Sequence, residues 1–195
     1  MIQELTDRGP SRTYPVYYLE DAMNNLGDCF DYAVNDYGAE GSEVAELFCL
    51  SGVAREFERG NAWVVSGKSG VELFALIAER SGYQSRPMPN RTYRFEKTPE
   101  YWAGWALAYY QWYTCRTFTK IHKAVSLKRI VSMYDIYHEM DITHFIDTIN
   151  ELWDNYYKET NLKRLRKLAG LSQRELSELS GVPLRQIQLF EQRQR

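Results

Sequence analysis

Apolar residues recur every three to four positions along most of the chain, the spacing of a buried helical face. From Tyr17, the residues Leu19, Ala22, Met23, Leu26, Phe30, Ala33, Val34 and Tyr37 share one side of a helix that Gly38 ends. A second helix is expected from about Ser42 to Arg59, with Val44, Leu47, Phe48, Ala54 and Phe57 inward and Gly60-Asn61 as its stop. A third, about Ser69 to Arg80, turns Val71, Phe74, Ile77 and Ala78 inward. Thr98-Pro99 opens a helix so aromatic that most of its circumference must be covered, with Tyr101, Trp102, Trp105, Tyr109, Tyr110, Trp112 and Tyr113. Short helices follow near Thr119–Ala124 and over Ser126–Met140. Asp141 then caps an amphipathic helix carrying Ile142, Phe145, Ile146, Ile149, Leu152, Trp153 and Tyr156. That helix is expected to run out near Lys158-Glu159-Thr160.

Two segments break this period. Ala62–Ser66 is short and β-branched, and Thr92–Phe95 follows Pro87 and Pro89. They allow one small β-hairpin in an otherwise all-α chain. The expected organisation is a multi-helix domain over residues 1–158 and a separate module over 161–195.

The last stretch, from Asn161 to Arg195, reads as helix, helix, tight turn, helix. Leu162, Leu165 and Leu168 stand one turn apart, with Lys163, Arg164, Arg166 and Lys167 on the other faces, and Gly170 terminates the helix. Ser172 and Glu175 have the spacing of a capping box. Leu176 and Leu179 are expected inward. Gly181 supplies the positive φ of a tight helix–helix turn, and Pro183 starts the next helix where its missing N–H costs nothing. Ile187 and Phe190 anchor that helix, which leaves Leu184, Arg185 and Gln188 facing out.

Charge adds to this picture. The chain is nearly neutral, at -2, but residues 161–195 carry eight Lys+Arg and three acids, while the other 160 residues carry 16 and 23. A tail of +5 on a body of -7 suits a DNA-contacting module on a protein-contacting body.

These residues resemble the Cro/C1-type (XRE-like) helix-turn-helix family, the match running through Leu171-Ser172-Gln173, Glu175-Leu176, Gly181-Val182, Ile187 and Glu191 over about 35 residues. The resemblance implies that the third helix enters the major groove of double-stranded DNA. Leu184, Arg185, Gln188 and Leu189 would face base edges: Arg185 suits guanine, Gln188 suits adenine, and Leu184 offers apolar contact to a thymine methyl. Gln173, at a helix N-terminus, would touch phosphate or an outer base. Lys163, Arg164 and Lys167 are further phosphate candidates. Family modules usually continue through a fourth and fifth helix and carry a glycine after the recognition helix, where this chain has Gln192-Arg193. The module is therefore expected to be partial: either the product is truncated, or residues 1–158 substitute for the missing helices. Those residues resemble the front of bacterial helix-turn-helix proteins without assigned function.

Chemistry elsewhere is sparse. His122, His138 and His144 lack metal-ligand spacing, and no acid pair stands out, so neither catalysis, a metal nor a cofactor is expected. Ser66–Gly70 (SGKSG) does not fit a phosphate loop, and a helix cap explains it better. The aromatic helix has no basic residue between Tyr101 and Cys115, which favours core packing over base stacking. Cys29, Cys49 and Cys115 form no CxxC pair and are expected as reduced, buried thiols. With no long apolar run and no apolar leader, the chain is expected in the cytoplasm and off the membrane. The expected function is a dimeric DNA-binding repressor. Two alternatives are an antitoxin-like protein whose body binds a toxin, and an interaction module with a degenerate helix-turn-helix.

Overall fold

A computed structural model describes residues 12–83 and 86–192. The fold is all-α, and among the described residues no strand forms. The chain divides into two compact units, one up to Phe145 and one from Ile146 onward.

In the first unit, α1 (Leu19–Asp31) follows a short 3-10 turn at Val16–Tyr18 and ends in a π-helical turn at Tyr32–Asp36. Next come α2 (Gly41–Leu50), α3 (Val53–Glu58), α4 (Ala62–Val65), α5 (Gly70–Ser81), α6 (Pro99–Thr114), α7 (Phe118–Ala124), α8 (Leu127–Val131) and α9 (Tyr134–Tyr137). Its centre is the crossing of α1 and α6. A β-carbon on Gly104 of α6 would lie 2.5 Å from the carbonyl oxygen of Leu26 on α1. One on Gly27 of α1 would lie 2.8 Å from the carbonyl oxygen of Tyr101 on α6. The two backbones therefore touch, and only glycine fits at both positions. Gly70 does the same for α5, where a β-carbon would meet the backbone nitrogen of Cys29 at 2.5 Å.

The aromatic helix is core, as its sequence requires: Tyr101, Trp102, Ala103, Leu107 and Tyr110 of α6 are all buried. Trp102 packs edge-on against Tyr134 and against Phe145. On another side, Phe30, Phe48, Phe57 and Phe118 form an edge-to-face cluster that joins α1, α2, α3 and α7, a geometry worth about 0.5–1.5 kcal/mol per pair beyond area burial.

The hairpin does not form. Asn61 accepts a hydrogen bond from the Trp63 amide and starts a helical turn that buries Val64 and Val65. Thr92–Phe95 stays irregular because side chains, not a ladder, take its polar groups. Arg94 forks onto both oxygens of Asp36 at 2.9 Å, and the Thr92 amide donates to Asp36 at 3.2 Å. The buried Asp31 accepts from Asn35 and Thr98 and pairs with Arg94. Thr98 also caps α6 by accepting from the Tyr101 amide at 3.1 Å.

Two expected helices are broken. Ser51-Gly52 separates α2 from α3, where Ser51 Oγ donates to the Phe48 carbonyl and Gly52 takes φ +79°. Ser132 separates α8 from α9 by donating to the Arg129 carbonyl at 2.7 Å. Conversely, the polar stretch 158–160 ends nothing: α10 runs unbroken over Ile142–Leu168. Its start is capped by Asp141, which accepts from the Thr143 amide at 2.9 Å, and its outward side carries the Asp154–Lys158 pair. Tyr156, expected inward, is exposed. Ser69 and Glu72 complete the capping box at the start of α5, so Ser66–Gly70 is a helix entry. Of the three thiols only Cys29 is fully buried; Cys49 is half-buried and Cys115 exposed.

Replacing Gly104 with alanine tests the backbone contact. In an open helix the change gains up to about 1 kcal/mol. Against the Leu26 carbonyl, which cannot rotate away, it should instead cost about 2–3 kcal/mol. Urea unfolding of the full chain measures this, and a raised midpoint would refute the contact.

Candidate nucleic-acid interface

The second unit ends in three helical segments: the last turns of α10, then α11 (Gln173–Ser180) and α12 (Leu184–Gln192). Each junction is built from local chemistry. At the end of α10, Gly170 takes φ +67°, its amide bonds to the Lys167 carbonyl, and the Leu171 amide reaches back to Arg166. This pair of bonds is a Schellman stop, and glycine meets its left-handed requirement without strain. Ser172 then caps α11. Its Oγ accepts from the Glu175 amide at 3.1 Å and the Glu175 carboxylate accepts from the Ser172 amide at 2.6 Å. The Ser172 amide holds the Glu175 carboxyl below its ordinary range.

Gly181 closes the turn at φ +70°, with its amide on the Ser177 carbonyl. Ser177 Oγ donates to the Val182 carbonyl at 2.7 Å, which fixes the far side of the turn. The Pro183 carbonyl accepts from the amides of Gln186 and Ile187, so Pro183 stands just before α12, one place earlier than expected.

The segments are held together by a charged network that the sequence pattern concealed. Arg166, expected on an outer face, turns inward with its side chain only 10% exposed. It forks onto Glu191 of α12, Nε to Oε1 at 2.6 Å and a terminal nitrogen to Oε2 at 2.8 Å. Its other terminal nitrogen donates to the Leu171 carbonyl at 2.7 Å. Gln173 Nε2 adds a bond to Glu191 Oε2 at 2.6 Å. The buried carboxylate thus gathers α10, the connecting loop, α11 and α12 at one point. The Arg166 hydrogen bond is the main cause that holds its carboxyl below the usual glutamate range.

Glu191 and Ile187, one turn apart and both buried, define the inner row of α12. Arg185 and Leu189 share the opposite row and are exposed, and Leu184 and Gln188 form the half-exposed row between. The four expected base-facing residues therefore occupy two adjacent outer rows of one helix. Gln173 lies apart from them, half-buried with its amide on Glu191. On α10, Arg164 and Lys167 are exposed and Lys163 is half-exposed, close enough to Glu191 to lower its carboxyl slightly.

Several apolar expectations fail here. Leu179 and Phe190, expected inward, are exposed by 73% and 47%, and Leu165 and Leu168 are exposed as well. Three short helical segments provide too little surface to cover every apolar residue they carry, and the charged network takes the central place that a leucine cluster was expected to hold.

Comparison of the chain with protein-family models, with curated proteins and with solved structures finds no match.

Because Arg166 is the counter-charge of a buried carboxylate, Arg166→Met should destabilise the α11–α12 segment by about 3–5 kcal/mol, while Arg166→Met with Glu191→Leu should recover much of that loss. Hydrogen exchange of the Ile187 amide reads both, and equal protection in the single variant and the wild type contradicts the role. The pH dependence has a definite sign. The folded-state carboxyl of Glu191 titrates lower than an unfolded one, so the pair's contribution is complete above about pH 4.3 and is lost as pH falls below it. Glu191→Gln should remove that acid-side transition.

Proposed function

We propose that this chain is a sequence-specific DNA-binding regulator that reads the major groove with α12. The observation that carries this reading is the outer surface of α12, where Arg185, Gln188, Leu184 and Leu189 are presented together on a helix whose inner row is fixed by Ile187 and the Arg166–Glu191 fork. A recognition helix needs this combination. Its base contacts must arrive in a fixed rotation, and its reading side chains must have no internal task.

In the reading position, the Arg185 guanidinium would donate two hydrogen bonds to the O6 and N7 of a guanine, and the Gln188 amide would pair with the N6 and N7 of an adenine. Leu184 and Leu189 would pack on thymine methyls. Lys163, Arg164 and Lys167 would lie with the phosphates, whose contacts orient the protein and carry no sequence information. Gln173 keeps its carbonyl oxygen for a donor, while its amide nitrogen is committed to Glu191. The +5 charge of residues 161–195 favours approach to the duplex.

The reading includes a homodimer on paired half-sites about 34–36 Å apart, the arrangement by which helix-turn-helix modules gain site length. The uncovered apolar side chains Leu179 and Phe190 support an added protein surface in this unit. No helix among the described residues is long and apolar enough to cross a membrane.

Selection of bound sequences from a random duplex library, followed by gel shifts on the selected site, tests the proposal. Arg185→Glu should weaken binding at least tenfold, consistent with about 1–3 kcal/mol per good bidentate contact, and should relax preference at one base pair. Lys167→Ala should weaken all sequences alike and lower the salt slope by about one. Unchanged site affinity in Arg185→Glu sinks the assignment of α12 as the reading helix.

A further inference from the structure

A mostly aromatic pocket of about 430 Å³ lies in the first unit between α6 and the turn that joins α9 to α10, within the size range of small-ligand sites. On the α6 side, Trp105 follows Tyr101 and Trp102 by four and three places, so the three rings share one helical face. Opposite them stand Tyr134, Tyr137 and His138, with Met140 exposed. The two sides are fastened to each other. Tyr134 Oη donates to the Lys97 carbonyl at 3.1 Å, and the Tyr134 ring meets Trp102 edge-on. The His138 ring stacks on that of Tyr134 with centroids 4.3 Å apart, and its Nδ1 lies 2.8 Å from the Tyr134 carbonyl oxygen. The walls are therefore set before any ligand arrives.

The open donor and the charge of this wall point to one class of occupant. Trp102 carries an indole N–H, which can only donate. Among the described residues that N–H has no hydrogen-bond partner, and it is not sealed from solvent. Trp102 is only 7% exposed, so what remains open of it is the part in the pocket wall. Lys97 stands at the edge, its Nζ 3.7 Å from the centre of the Tyr101 ring. Its nearest carboxylate, Asp28, is 3.9 Å away, and the same oxygen already takes a 2.5 Å bond from Arg91. The ammonium therefore keeps charge to offer. Among the described residues no carboxylate lines the pocket. Donors and positive charge without an acid select a ligand that accepts hydrogen bonds and is negative. The rings select a flat apolar body. An amine would meet Lys97 with no counter-charge in the wall, and a bare inorganic anion would leave the rings unused.

We propose that this pocket binds a small aromatic carboxylate, whose ring packs between Trp105 and the Tyr134–His138 side and whose carboxylate pairs with Lys97, with the Trp102 N–H as a further donor. The inference goes beyond the DNA-binding reading and does not rest on it.

The test uses the full chain with 15N-labelled tryptophan. Five indole N–H signals are expected, and assignment through bonds identifies them without any variant. The probes are phenylacetate, 2-naphthoate and indole-3-acetate, each set beside the amide and the amine of the same shape. At least one carboxylate should shift the Trp102 and Trp105 signals saturably and leave Trp63, Trp112 and Trp153 in place. Its amide should bind about fivefold more weakly, the worth of one partly exposed ion pair, and its amine more weakly still. The preference for the carboxylate should shrink at high salt. Lys97→Met, at an exposed side chain, should bring carboxylate and amide level, while Trp105→Ala should weaken both alike. The proposal is overturned if no carboxylate moves the Trp102 signal, if shifts spread over all five tryptophans, or if the amide or amine binds as tightly as its carboxylate. These three outcomes are read on the wild-type chain, so none depends on a variant folding.

Discussion

The C-terminal unit depends on a buried carboxylate. Glu191 is 5% exposed and accepts three hydrogen bonds, two from Arg166 and one from Gln173. Removing a charge from water is expensive, and a buried ion pair recovers that expense only when its geometry is good and its remaining donors are satisfied. Here the fork is short on both prongs, and the guanidinium nitrogen left over is taken by the Leu171 carbonyl. The arrangement tolerates little displacement. A shift of α12 relative to α10 or α11 would strand a charge, so the position of the helix is specified more tightly than three short segments with exposed leucines could specify it by apolar packing. The hydrophobic contribution is modest by comparison, with Ile187 the principal apolar anchor of α12.

The same device recurs in the first unit in a different form. Residues 86–98 have no regular structure, yet Asp31 and Asp36 of the α1 region hold them through Arg91, Arg94 and Thr98. Thr98 is also the cap of α6, so this lashing joins the two helices whose backbones touch at Gly27 and Gly104. Glycine contacts and aromatic packing bring the helices of the first unit together, and in both units buried carboxylates fix neighbouring segments.

What could be read in the sequence was what depends on near neighbours in the chain. The Ser172–Glu175 capping box, the Gly170 and Gly181 turns and the helical faces of α1, α5 and α6 follow from spacing and local chemistry, and the structure contains each. What could not be read was pairing at a distance. Arg166 lies within a run of basic residues and gives no local sign that its partner is 25 positions on. Asp31 and Arg94 are separated by 63 positions and each looks like solvated charge. Helix breaks at Ser51 and Ser132 were hidden for a related reason: serine inside a helix is tolerated until its hydroxyl turns back onto a carbonyl, a choice that tertiary packing makes. The polar stretch 158–160 misled in the opposite direction, because polarity alone does not end a helix that lacks a glycine or proline.

Under the proposed reading, the division of α12 into an inner row and two outer rows would separate stability from recognition. Ile187 and Glu191 carry the internal contacts of α12, while Arg185 and Leu189 stand on the opposite row. Residues at 185 and 189 can therefore be exchanged without disturbing the fork that positions them. If α12 reads a target as proposed, a lineage carrying this scaffold could acquire new target preferences one side chain at a time, whereas a change at 166 or 191 would have to be met by a matched change at the other position.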